Sequence, residues 1–237
     1  MDSLSLLVLT RNEEKIVGEN LIQIHSYLSN LKEIKDFEIL VCDYSVDKTP
    51  QLVANLSKDF SSIHYVEVKR KGIGAGLKAG IDRASKEFSM FYPIDMSWSL
   101  SVIKDSIEAA KRGNDVVLGS RFCKGSIVKR PIARNLFSFF YNSLVWLLFG
   151  LKIKDTQGTI LFNIKRVKSF RSKLESDDPF LQTEILIYAK NNNLRIIEIP
   201  CEVIDYREES KINPIIIGSN MFYRLLTKKL KFLLKNN

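Results

Sequence analysis

A chain of 237 residues with 45% hydrophobic and 27% charged side chains has the make-up of an ordinary globular protein, long enough for one α/β domain with a sizeable core. Its three cysteines, Cys42, Cys123 and Cys201, are far apart and lack zinc-ligand spacing, so they read as reduced thiols of a cytosolic compartment; with only His25 and His64 present, a histidine metal centre is not expected. The net charge of +9 is concentrated, because Lys211, Arg224, Lys228, Lys229, Lys231 and Lys235 supply six of it without one acid from Ser210 onward, and this asymmetry calls for an anionic partner on one side.

Met1-Asp2-Ser3 leads straight into an apolar run, with no pattern of a secretory signal. Strand and helix periodicities then alternate. Strands are predicted over Leu4–Leu9, Phe37–Cys42, Ile63–Val68, Phe88–Tyr92 and Asp115–Leu118. Helices are predicted over Ile16–Leu31, Thr49–Leu56, Gly76–Ser85 and Ser101–Arg112, the last stopped by Gly113-Asn114. This succession implies an α/β fold with a doubly wound, mostly parallel sheet.

Beyond Ser120 the basic loop with Lys124, Lys129, Arg130 and Arg134 leads into a helix over Asn135–Leu151, apolar nearly all round except for Asn135, Ser138 and Asn142. Its apolar part is about 16 residues, roughly 24 Å of helix, shorter than the ~20 residues of a bilayer span. It reads either as a buried core helix or as an interfacial helix with basic residues at both ends, Arg130 and Arg134 before it and Lys152 and Lys154 after. A second helix from Pro214 repeats Arg224, Lys228, Lys231 and Lys235 on one stripe. That is the pattern of a membrane-surface helix, or of a helix packed on the domain with a solvated basic face. The expected organisation is a domain over residues 1–212, including the 135–151 helix, and a basic amphipathic helix over 213–237.

Four segments lie just past predicted strands: Thr10-Arg11-Asn12-Glu13, Asp43, Lys71 with Gly72, Gly74 and Gly76, and Asp95. Strand carboxyl ends share one edge of a parallel sheet, and ligands bind in the crevice there. Carboxylates, a lysine and open glycine amides at that edge suit a nucleoside diphosphate with a divalent cation. Gly74-Ala75-Gly76-Leu77-Lys78-Ala79 also fits a dinucleotide fingerprint, but it follows the third strand and is preceded by Arg70 and Lys71.

The ordered motifs resemble the family 2 glycosyltransferases of GT-A fold, closest to the polyprenyl-phosphate (dolichol-phosphate) mannosyl- and glucosyltransferases. The resemblance is carried by Leu9-Thr10-Arg11-Asn12-Glu13, the segment from Cys42 to Thr49, the loop from Arg70 to Gly80, Pro93-Ile94-Asp95-Met96-Ser97, Gly119-Ser120-Arg121, Asp155-Thr156-Gln157-Gly158, Leu181-Gln182-Thr183-Glu184 and Arg207-Glu208-Glu209-Ser210-Lys211. It covers most of the chain, Leu4 to Pro214. Two positions depart from the family pattern: Pro93 replaces the first aspartate of D-x-D, and Tyr44 stands where a second acid often follows Asp43.

The resemblance implies inverting transfer of a hexose from a nucleoside-diphosphate sugar to a polyprenyl phosphate. Asp95 and Arg121 are then the catalytic candidates, with Asp95 as ligand of Mg2+ or Mn2+. Thr10, Asn12, Glu13, Asp43, Lys71, Gly74 and Asp95 are expected at the donor, and Arg121, Arg130, Arg134, Arg207 and Lys211 at the acceptor phosphate. A phosphate monoester has a second pKa near 6 and is already a nucleophilic dianion at neutral pH, so no general base is needed. A sugar-hydroxyl acceptor would instead need one, for which Glu184 and Asp155 are the candidates. Pro93 and Tyr44 also leave open a catalytically degenerate module that binds nucleotide at a membrane. The expected location is the cytoplasmic face of a membrane, as a peripheral protein on an anionic lipid surface, with room for an integral-membrane partner. Nucleic acid is not expected, since no aromatic platforms are interleaved with the basic residues.

Overall fold

Alternation of side chains to opposite faces of a strand explains how one apolar run serves two cores. In β1 (Ser3–Thr10), Leu4, Leu6 and Val8 join one buried cluster and Leu7 joins another. A computed structural model describes residues 3–129, 132–204 and 214–235.

On either side of β1 lie β2 (Asp36–Asp43) and β4 (Phe88–Pro93), with β3 (Ile63–Glu67) beyond β2. These four strands are parallel, and their register sets Thr10 beside Asp43, Asp43 beside Glu67, and Leu9 beside Pro93. The predicted strands therefore end along one rim. The sheet continues through β7 (Ile160–Asn163), β5 (Val116–Gly119) and β8 (Ile196–Ile199) to seven strands in the order β3-β2-β1-β4-β7-β5-β8. β7 is antiparallel to both neighbours, so the sheet is mostly parallel, as expected, with one reversal that was not. A small second sheet pairs β6 (Ile127–Lys129) with β9 (Glu202–Ile204).

One face is covered by α1 (Val17–Ser29), α2 (Thr49–Asp59) and α4 (Ser101–Lys111), whose Leu21, Ile24, Val53, Ile103 and Ile107 pack on Leu4, Leu6 and Val8. The other carries α3 (Ile73–Arg83), α5 (Ile132–Phe149), the short α6 (Ile164–Lys168), α7 (Phe180–Asn191) and α8 (Pro214–Lys235). The helix α3 begins three residues before the predicted Gly76, because the break falls at Gly72, with φ of +138°. Helix α3 also lies close on the sheet. A Cβ on Gly76 would stand 3.0 Å from Leu9, and one on Gly80 would stand 3.1 Å from the Cys42 sulfur.

The stripe on α8 has the opposite orientation from the one expected for a basic membrane face. Lys228 is buried and meets Glu184 at 2.7 Å, Arg224 pairs with Asp178 at 2.5 Å, and Lys231 pairs with Glu175 at 2.9 Å. The cations thus face the domain's own acids, while Phe222, Tyr223, Leu226, Leu230 and Leu234 are exposed. Likewise α5 turns Tyr141, Asn142 and Val145 inward and leaves Leu136, Phe137, Phe139, Phe140, Trp146 and Leu147 exposed. It is neither fully a core helix nor solvated by charge. No helix among the described residues is long and apolar enough to cross a membrane.

Candidate active site

The first two rim loops are stitched together by their own polar side chains. Thr10 Oγ1 donates to Asp43 Oδ1 at 2.7 Å, and Ser45 Oγ donates to the same oxygen at 2.5 Å. Ser45 N–H and the Tyr65 hydroxyl reach Asp43 Oδ2 at 3.2 and 3.5 Å. Asp43, expected at the donor, is buried beneath these hydrogen bonds. Asn12 takes a left-handed φ of 54°, which lets its backbone N–H donate to Ser45 Oγ while its side-chain oxygen accepts from Val46 N–H. Glu13 N–H donates to Thr49 Oγ1 at 3.0 Å. Thr10, Asn12, Glu13 and Asp43 therefore form one connected wall.

Asp95 lies two residues past β4, on the other side of β1 from the strand that ends in Asp43. Its Oδ1 accepts from Ser97 N–H at 3.1 Å across Met96, whose φ of 50° makes the turn tight. Asn20 of α1 fixes the same turn by donating to Ile94 O at 2.8 Å. Among the described residues no three His, Cys, Asp or Glu side chains are grouped to hold a metal. A hard cation commonly takes one or two protein carboxylates and completes its shell with substrate phosphates and water. Asp95, a partly exposed carboxylate at the rim, is of the type such an ion takes.

Lys71 is exposed at the same rim. The glycines beside it serve a purpose that the sequence reading did not supply. A Cβ on Gly72 would lie 1.9 Å from the Asp177 carbonyl oxygen, and one on Gly74 would lie 2.6 Å from that of Asp178. The segment Glu175–Asp178 crosses directly over the start of α3, where Asp177 O accepts from Ala75 N–H at 3.1 Å. The Asp177 carboxylate meets Lys78 at 2.6 Å and Arg70 at 3.6 Å. The hydrogen bond from Lys78, with the charges of Lys78 and Arg70, holds it below the usual carboxylate range against a modest effect of burial.

On the other flank, Arg121 binds Asp155 through Nε and Nη2, both at 2.7 Å, and lies over the Trp98 ring at 5.8 Å. The next residue, Thr156, donates from N–H and Oγ1 to Asn142 Oδ1, and Asn142 Nδ2 donates to Lys154 O at 2.6 Å. Asn142, a polar side chain in the middle of largely apolar α5, therefore anchors that helix to the Arg121 site. Arg130, Arg207 and Lys211 lie outside the described residues, as does the side chain of Arg134.

Sequence reasoning missed Ser45, Tyr65, Trp98 and the acids of the 175–178 segment. Two signals were present: Ser45 lies within the Cys42–Thr49 motif, and Ser176-Asp177-Asp178-Pro179 is a capping run before an apolar helix. Asp178 Oδ1 indeed accepts from Phe180 N–H at 3.0 Å.

The model of glycosyl transferase family 2 matches residues 5–172. The chain therefore belongs to that family, and it is a glycosyltransferase on a GT-A scaffold. It is 31% identical to the dolichol-phosphate mannosyltransferase of Pyrococcus furiosus, over 94% of this chain and 63% of that protein. It is 26% identical to glycosyltransferase AglD of Haloferax volcanii, over 84% of this chain and only 32% of that one. The chain thus spans about a third of AglD and just under two thirds of the mannosyltransferase. A third relative, the UDP-N-acetylglucosamine--dolichyl-phosphate N-acetylglucosaminyltransferase of Methanococcus voltae, is 26% identical over 95% of each chain. Among solved structures, glucosyl-3-phosphoglycerate synthase from Mycobacterium tuberculosis, in complex with Mn2+, UDP and phosphoglyceric acid, shares the fold. Its TM-score is 0.72 at 16% identity, covering 96% of this chain and 78% of that one.

Proposed function

We propose that the chain transfers a hexose, with inversion, from a nucleoside-diphosphate sugar to a polyprenyl phosphate at a membrane surface. The observation that carries this reading is the link from Arg121 through Asp155, Thr156 and Asn142 to α5, whose outer face among the described side chains carries no charge and exposes Phe139, Phe140, Trp146 and Leu147. A lipid tail along α5 would bring its phosphate to the Arg121 side of the rim. The donor diphosphate would lie on the other side, between the Thr10–Asp43 wall, Lys71 and Asp95.

The phosphate oxygen attacks the anomeric carbon opposite the departing diphosphate; one carbon–oxygen bond forms as the other breaks, and the nucleoside diphosphate leaves. The chain's task is to align these groups and to balance negative charge. Asp95 would hold a divalent cation, Mg2+ or Mn2+, which when bound neutralises charge on the leaving diphosphate. Lys71 would add a positive charge there. The competing acceptor, a sugar hydroxyl, needs a base, and both candidates are committed elsewhere. Asp155 is buried against Arg121, and Glu184 is buried against Lys228 and the backbone N–H groups of Glu175 and Ser176. That commitment favours an acceptor that arrives already ionised. The relatives named as dolichyl-phosphate transferases point the same way.

The test is sugar transfer from UDP- and GDP-sugars to a short polyprenyl phosphate, with Mg2+ or Mn2+ and then with chelator. Glycosyl lipid should form, and Asp95→Ala should abolish it. Transfer to sugar hydroxyls alone would overturn the acceptor. Nucleotide binding without transfer from any donor would identify a degenerate module, as Pro93 and Tyr44 allow.

A further inference from the structure

The segment Glu175–Asp178 is held from two sides. On one side it closes over the glycine start of α3, through Asp177 O to Ala75 N–H and through Lys78, which also donates to Glu175 O at 3.2 Å. On the other it is gripped by the last helix. Glu184 Oε2 accepts from Glu175 and Ser176 N–H at 3.2 and 3.0 Å, while Oε1 of the same carboxylate accepts from Lys228 at 2.7 Å. Lys228 also donates to Lys173 O at 3.3 Å, just before the segment. Lys231 holds the Glu175 carboxylate and Arg224 that of Asp178. Four residues thus form a bracket whose outer face is α8 and whose inner face is the loop that carries Lys71.

We propose that Lys228 is a positioning residue for the donor site: docked α8 holds Glu184, Glu184 fixes the 175–178 bracket, and the bracket sets the Arg70–Gly76 loop that receives the diphosphate. The inference rests on the reading of that loop as the diphosphate cradle. The geometry explains why glycine stands at positions 72 and 74, since any side chain would strike the carbonyls of Asp177 and Asp178. It also explains why a lysine is buried on an otherwise surface helix: a buried carboxylate that organises backbone N–H groups must be paired. Coupling is reciprocal, so a diphosphate that orders the loop also favours docked α8.

The experiment titrates UDP and GDP with Mn2+ into the full chain by calorimetry, with hydrogen exchange followed over residues 73–78. Lys228→Met should weaken nucleotide binding by about 5- to 150-fold, the usual span of coupling between sites. It should also speed exchange at 73–78, and Lys228→Arg, which keeps the charge, should restore both. Lys71→Ala should weaken binding and leave that exchange unchanged. If Lys228→Met matches wild type in affinity and exchange while Lys71→Ala loses affinity, the positioning role is refuted and the cradle stands. If Lys71→Ala binds normally, the cradle reading itself fails. Should Lys228→Met not fold, Lys228→Gln, which keeps a donor toward Glu184 and removes the charge, loosens the same bracket. Faster exchange and weaker binding in that variant support the proposal, and wild-type values overturn it.

Discussion

Arg121 holds Asp155 by three bonds, from Nε, Nη2 and its own backbone N–H, at 2.7, 2.7 and 3.0 Å. Asp155 is fully buried and accepts two further backbone-linked constraints, since its Oδ1 also receives Gln157 N–H at 3.2 Å and its own N–H donates to Glu198. Much of the guanidinium is thus engaged within the protein, and Arg121 serves first as a strut on this flank of the rim. Asp155→Ala removes the carboxylate that pairs a largely buried cation, a change that costs about 3–5 kcal/mol. Urea denaturation should show that loss. Arg121→Lys should recover little of it relative to Arg121→Ala, because an ammonium cannot reproduce a two-pronged contact.

Two glycines should respond in opposite directions to alanine. At Gly74 the new Cβ would lie 2.6 Å from Asp178 O, 2.7 Å from Asp177 C and 2.8 Å from Ser176 O, all backbone atoms. Overpacking of that kind costs about 1–3 kcal/mol. At Gly18, in the first turn of α1, nothing lies within 4 Å of the added carbon. Gly18→Ala should stabilise the chain by about 0.4–1 kcal/mol, largely by restricting the unfolded state. Thermal midpoints of the two variants check both signs.

The rim was legible because register follows from pattern: once parallel strands end at Thr10, Asp43 and Pro93, the loops beyond them must be neighbours. Chemistry at the rim was less so. Gly72 and Gly74 read as open phosphate-binding amides, and nothing in the sequence showed that the backbone of Asp177 and Asp178 also packs against them. The reversal of β7 was not visible, since a run as short as Ile160–Asn163, with three apolar residues, gives no direction. Lys228 shows the limit most clearly. Helical periodicity put it on the correct stripe, but its partner Glu184 is 44 positions away, and periodicity does not say which way a stripe faces.

Acid stability should depend on Glu38, far from the rim. Burial works to raise this carboxyl's pKa, but hydrogen bonds from Ser5 Oγ at 2.6 Å and from Ser85 N–H and Oγ at 2.8 and 2.9 Å, with the charge of Lys86, outweigh it and hold the pKa below its ordinary value. A depressed folded-state pKa stabilises the protein above the unfolded-state value, about 4.3 for glutamate, and that stabilisation is lost as pH falls through the folded value. Wild type should therefore weaken progressively below about pH 4.3. Glu38→Gln should be less stable at pH 7 and should show a shallower acid decline. Equal slopes in urea titrations from neutral to acid pH would exclude Glu38 as a source of the decline.

The apolar outer faces of α5 and α8 yield a direct optical test of membrane attachment. Of the two tryptophans, Trp98 is 8% exposed beneath Arg121 and Trp146 is 52% exposed on α5, beside Leu147 at 72%. Only Trp146 can change its surroundings greatly when a surface docks there. Vesicles containing anionic lipid should shift the emission to shorter wavelength, and Trp146→Phe should remove the shift. Leu147→Asp forfeits burial of a large apolar side chain, about 1.5–3 kcal/mol, so vesicle affinity should fall by at least roughly tenfold. Because the cations of α8 at Arg224, Lys228 and Lys231 are paired with the domain's own acids, attachment should rest more on apolar burial than on charge. Moderate salt should then weaken it less than Leu147→Asp does; the reverse ranking would return the basic residues to the membrane role that their periodicity first implied.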